Sequence, residues 1–163
     1  MRVFQSLAVF VIATSLHNPV SAQETQPVLS AASASAIVAG CDAYAKEKGW
    51  EVNIAVMDQG RNLMAFLRMD GAPLGSLEIS QWKANASSSF PRPTKGAADR
   101  ARELPAIAAA PNIAIFEGGE PIFADDGTHL GGVGVSGVTG AQDAECARAG
   151  IEAAGLSHER GED

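Results

Sequence analysis

The sequence predicts an α+β domain: a five-stranded antiparallel sheet flanked by helices, in the order α-β-β-α-(α)-β-β-β-α. Three observations carry this. Short apolar runs lie in pairs around turn sequences, so all but one strand connection is short enough for a hairpin, and hairpins make neighbours antiparallel. Two alanine-rich segments, one near each end, repeat apolar residues at helical spacing. Between Leu130 and Thr139 the chain reads Leu-Gly-Gly-Val-Gly-Val-Ser-Gly-Val-Thr, which on a strand turns Gly132, Gly134 and Ser136 one way and Val133 and Val135 the other. Glycine weakens a strand and is worth that cost where a helix, another backbone or a flat ligand must come close. The bare face predicts a docking surface.

In chain order, Ile37, Cys41 and Tyr44 mark a first helix that stops at Gly49, a natural C′ residue. Val52 to Met57 and Leu63 to Met69 flank Asp58-Gln-Gly-Arg61 as a hairpin, and Asp70-Gly71-Ala72-Pro73 ends it. A second helix is predicted from about Gly75 to Phe90, with Ile79, Trp82, Ala86 and Phe90 on one stripe and Ala84, Ser87 and Ser88 letting neighbours approach closely, and Pro91 and Pro93 terminate it. Lys95 to Ala110 reads equally as a weak helix or an ordered loop. Ile113 to Phe116, Gly118-Gly119 and Pro121 to Ala124 read as a second hairpin, and Asp126-Gly127 turns into the glycine strand. Thr139-Gly-Ala-Gln142 has capping-box spacing for a last helix, about Ala141 to Leu156, which buries Ala144, Ala147, Ile151 and Ala154.

The ends bound the setting. Arg2, the apolar run Val3 to Leu16 and the small residues of Val20-Ser21-Ala22 have the form of a signal peptide, residues 1–22, cleaved after Ala22. A flexible leader (23–28), a single domain (29–156) and a polar tail (157–163) follow, and the predicted location is periplasmic or secreted. The formal net charge of −7, or −8 once Arg2 is removed, argues against nucleic acid and anionic membranes as partners. Cys41 and Cys146 are the only cysteines, and an oxidising compartment permits them either to pair or to stay as two buried thiols.

Two catalytic readings fail on spacing. Gly132-x-Gly134-x-x-Gly137 matches a dinucleotide fingerprint, but the 26 residues after Gly137 leave no room for a second parallel strand and its acidic partner. Ser136 and His129 have triad chemistry, yet seven residues of strand hold them about 20 Å apart, and the second spacer of a nucleophile elbow is missing. Glu117-Gly-Gly-Glu120 has the spacing of an acidic iron pair but straddles a turn.

Asp70-Gly71-Ala72, Ser76, Lys83-Ala84, Phe90-x-Arg92-Pro93-Thr94, Gly118-Gly119-x-Pro121, Asp126-Gly127, the run Gly131 to Gly137 and Gln142-Asp143 together resemble the GlcG/HbpS family, which also includes the C-terminal domain of PduO-type proteins. The resemblance spans roughly Leu29 to Leu156. It implies a profilin-like fold, homo-oligomers and, for several members, haem binding. Where the family often has Lys-Ala-x-Thr-Ala, this chain has Lys83-Ala84-Asn85-Ala86, so a role resting on that threonine does not carry over.

A non-covalent haem needs a flat apolar slot and cations or N–H groups for its propionates; thioether attachment is excluded because no Cys-x-x-Cys-His is present. The expected site lies between the second helix and the glycine strand. Trp82 and Phe90, with Phe66, touch the ring; Lys83, Arg92 and Thr94 meet carboxylates; Gly132, Gly134 and Ser136 form the bare wall; and His129 is the candidate axial or metal ligand. The plainer readings stand beside these: Trp82 and Phe90 as core, the two cations as solvated, His129 as a turn residue. No catalytic residue is assigned. The expectation is an exported haem-binding carrier, scavenger or sensory partner; the runner-up is an enzyme or accessory factor acting on a small carboxylate.

Overall fold

Ser30 accepts the backbone N–H of Ser33 and so caps α1 (Ala31–Lys48), which Gly49 ends in the left-handed region at φ 72°. The computed structural model describes residues 25–112 and 114–161. The expected signal peptide and its cleavage site lie outside the described residues, as do the start of the leader and the last two residues of the tail. After α1 come β1 (Asn53–Asp58), β2 (Leu63–Arg68), α2 (Ser76–Ser89), α3 (Lys95–Glu103), a 3₁₀ turn (Pro105–Ala109), β3 (Gly119–Phe123), β4 (His129–Ser136) and α4 (Gly140–Ala153). The Thr139–Gln142 capping box opens α4 as its spacing predicts.

The strands form one antiparallel sheet in the order β2-β1-β4-β3. Register decides its two faces. Ile54 opposes Val135 and Val56 opposes Val133, so these side chains share one face, where they join Ile37, Ile122 and Ile151 under α1 and α4. Ala55 opposes Gly134 and Met57 opposes Gly132, which gives the other face almost no relief, and α2 lies on it. The sheet is thus sandwiched between helices, and no described helix is long and apolar enough to cross a membrane.

Among the described residues four strands replace the expected five. Residues 114–116 are not a strand, because the main chain that follows is already committed elsewhere: Thr94 Oγ1 donates to the Phe116 carbonyl, Thr94 N–H to the Gly119 carbonyl, and Val135 N–H to the Gly118 carbonyl. The second hairpin is therefore only β3 and β4. The undecided segment from Lys95 onward is helical to Glu103, and α4 ends at Ala153, short of Leu156. The tail begins docked: Phe123 and Ser157 exchange both backbone hydrogen bonds, at 2.8 and 3.0 Å.

Cys41 of α1 and Cys146 of α4 form a disulfide across 105 residues of chain. A closed loop that long removes much of the unfolded chain's freedom, so Cys41→Ser/Cys146→Ser is expected to lose about 2–4 kcal/mol. Urea unfolding with and without reductant checks this; equal midpoints contradict it.

Candidate functional site

The glycine strand receives α2 so closely that nothing fits between them. A Cβ on Gly134 would stand 1.9 Å from the Ser80 carbonyl oxygen and 2.3 Å from the Ala84 nitrogen; on Gly132 it would stand 2.3 Å from Ser87 Oγ. The expected slot between the second helix and the strand is closed, filled by the main chain and small side chains of α2. Small residues are what α2 turns inward: Ser80, Ala84, Ser87 and Ser88 are buried, whereas Trp82 is 37% and Phe90 48% exposed. The predicted aromatic stripe is thus the outer edge of this helix. A flush helix–strand contact admits no large ring.

Lys83 is the exception on the inner face. Its Nζ donates to Asp143 Oδ2 at 2.7 Å and to the Val135 carbonyl at 2.8 Å, and both charged side chains are buried. Burial lowers the Lys83 pKa and raises that of Asp143, each partner's charge opposing the shift. This lysine is therefore a strut between α2, β4 and α4 and is no free cation for a ligand. Ser136 is buried beside the strut, in a depression that also takes in Glu117 and the start of α4. Thr94 is committed too: it donates to Phe116 and its Oγ1 accepts from Gly119 N–H at 2.9 Å.

His129 starts β4 with its ring 5.6 Å from that of Phe123, and its Nε2 is buried without a partner among the described residues. Burial holds its pKa below the ordinary histidine value, which keeps it neutral at pH 7. Among the described residues no group of three or more His, Cys, Asp or Glu is placed to hold a metal, so His129 stands alone as a ligand candidate. Glu117 and Glu120 part company: Glu117 lines the depression at Lys83, while Glu120 turns to α4 and meets Arg148 at 2.8 Å.

Of the predicted residues, Phe90, Arg92 and Thr94 remain together, at the C-terminal end of α2. There they border a cleft of about 450 Å³ whose other walls include Arg61, Arg100 and Ile107. The Arg92 guanidinium lies over the Phe90 ring at 5.4 Å. Arg61 is delivered by the β1–β2 turn, where it adopts φ 64° while the Asp58 side chain holds Asn62. Arg100 comes from α3. Among the described residues none of these three arginines pairs with a carboxylate. Three unneutralised guanidinium groups on apolar walls suit a flat or chain-like ligand that carries carboxylates.

A family model described as "Haem degrading protein HbpS-like" matches residues 29–152. The chain belongs to the HbpS-like family. It is 42% identical over 114 residues to the protein GlcG of Escherichia coli K12, covering 69% of this chain and 84% of that one. HbpS of Streptomyces reticuli, solved as a double mutant, superposes with a TM-score of 0.75 at 29% identity, covering 85% of this chain and 97% of that one. PduOC, solved as a haem complex, shares the fold at a TM-score of 0.74 and 22% identity, covering 82% and 99%. This HbpS-like chain adds Arg61 and Arg100 to the candidates, both missed in the sequence. Arg61 sits in a turn that gives no cue beyond its hairpin, and Arg100 in the segment whose structure the pattern left open.

Proposed function

We propose that this member of the HbpS-like family is an exported haem-binding protein, and that the tetrapyrrole lies in the cleft between the end of α2 and α3. The observation that carries the reading is the trio Arg61, Arg92 and Arg100, without carboxylate partners among the described residues, around Phe90 and Ile107. The family description and the haem complex of PduOC support the choice of ligand. Among the described residues the cleft's lining holds no histidine, cysteine, methionine or tyrosine, so the residues present fit the propionates and the ring face and supply no axial ligand. The roles consistent with this are carrier, scavenger or sensory partner. The disulfide supports export, since such bonds persist in oxidising compartments. Exposed Leu74, Leu104 and Phe116 support assembly of several copies.

The lack of an axial ligand also favours the second reading, in which the arginines hold a small carboxylate metabolite. Hemin titrated into residues 23–163 is expected to give a saturable, shifted Soret band, about tenfold weaker in Arg92→Ala and in Arg100→Ala, a loss of about 1.4 kcal/mol. Saturable binding of small carboxylates without a Soret response selects the second reading. An unsaturable Soret response, or one indifferent to both arginines, overturns the haem site.

A further inference from the structure

β3 presents alternate residues to α2 and to α4, and Glu120, opposite Val133, is on the α4 side. Its side chain is only 3% exposed. Oε1 accepts from Arg148, and Oε2 has no partner among the described residues. A buried carboxylate oxygen without a donor is costly when ionised. Burial accordingly pushes the Glu120 pKa up to about 7, Arg148 pulling it down and Glu117 adding like-charge repulsion.

Glu120 and Arg148 lie in a second cleft, about 500 Å³, bordered by Arg92 from the loop after α2 and by His158, Glu159 and Arg160 of the C-terminal segment. The Ser157–Phe123 pairing holds that segment in place, and the Arg160 guanidinium lies 5.5 Å over the Phe123 ring. His158 Nε2 stands 3.3 Å from Glu152. Arg92, Arg148 and Arg160 against Glu120 and Glu159 leave one positive charge in excess while Glu120 is ionised. Protonating it leaves two.

We propose that this cleft, which shares Arg92 and Pro93 with the first, is a second ligand site that takes a small dianionic oxyanion on Arg92, Arg148 and Arg160 while Glu120 takes up a proton from solvent. The anion draws the Arg148 guanidinium away, and a buried Glu120 that loses its counter-charge holds its proton more firmly. A protonated Glu120 supplies an O–H where its orphaned oxygen now accepts nothing. The inference does not depend on haem binding at the other cleft.

Calorimetry of the folded protein at pH 8, with succinate and inorganic phosphate as separate probes and two buffers of different ionisation heat, tests it. The expected result is saturable binding of at least one probe with uptake of close to one proton. The preferred probe tells whether the site is built for an organic diacid or a phosphate group. Affinity falls tenfold or more in Arg160→Gln, an exposed position that keeps the fold, and in Arg148→Gln, whose melting curve is recorded alongside. Glu120→Gln still binds but takes up no proton, whereas a proton landing on His158 would survive that change. The proposal is overturned if neither probe saturates, if Arg160→Gln binds as well as the parent, if uptake persists in Glu120→Gln, or if Arg100→Ala abolishes binding and so moves the anion to the other cleft.

Discussion

Replacing Gly134 by alanine is expected to cost about 3–5 kcal/mol, above what overpacking typically does because the obstacle is backbone, and to leave much of the chain unfolded. The added methyl would meet the Ser80 carbonyl and the Ala84 nitrogen, which belong to the backbone of α2 and have no rotamer to escape into. The helix has to lift off the sheet, and lifting it separates Lys83 from Asp143 and opens the small-residue contact on both strands beneath. Gly49→Ala is the matched control: nothing lies within 4 Å of its Cβ, and only the left-handed φ of 72° opposes the change, at about 1 kcal/mol. Urea unfolding of the two variants measures the difference. A Gly134→Ala protein within 1 kcal/mol of the parent would mean that the contact yields, and a thin ligand could then enter there after all.

That contact also shows how far the sequence could be read. Alternation in residues 130–139 correctly marks a face stripped of side chains for a close approach, but a helix, a backbone and a flat ligand leave the same trace in a sequence. The occupant is α2, whose Ser80, Ala84, Ser87 and Ser88 are the complementary small residues. The sequence carries both signals on this helix: Ala84, Ser87 and Ser88, read as letting neighbours approach, do face the strand, whereas Trp82 and Phe90 of the apolar stripe stay part-exposed, since bulky rings cannot sit on a flat glycine surface. Helix caps and the first hairpin are legible because their signals are local, as at Gly49 and Thr139. The missing fifth strand is not, because the bonds that occupy the main chain around Gly118 come from Thr94 and Val135, far away in sequence. For the same reason Arg61 and Arg100 join Arg92 only after α3 folds over the end of α2.

Lys83 is the position where the sequence and the structure assign opposite roles, and its removal separates them. Lys83→Met is expected to destabilise the protein by about 3–5 kcal/mol, since it strands the Asp143 carboxylate in the interior with backbone N–H groups of Gly137 and Val138 but no counter-charge. Adding Asp143→Leu removes the stranded charge, so the double variant is expected to recover most of the loss, and the double-mutant cycle should return a coupling of about 2 kcal/mol or more. The pH dependence has a definite sign. Asp143 already has a raised pKa in the folded chain, and losing Lys83 raises it further, so the single variant binds a proton more readily folded than unfolded. Its deficit is therefore smallest in acid and grows as rising pH ionises the isolated Asp143. If Lys83 instead served a ligand's carboxylate, Lys83→Met would lose hemin affinity while keeping its melting temperature, and the cycle would show no coupling. A structural strut predicts the reverse on each count: a large pH-dependent stability loss, rescue by the second substitution, and hemin affinity unchanged in the folded double variant, because the arginine cleft draws nothing from Lys83.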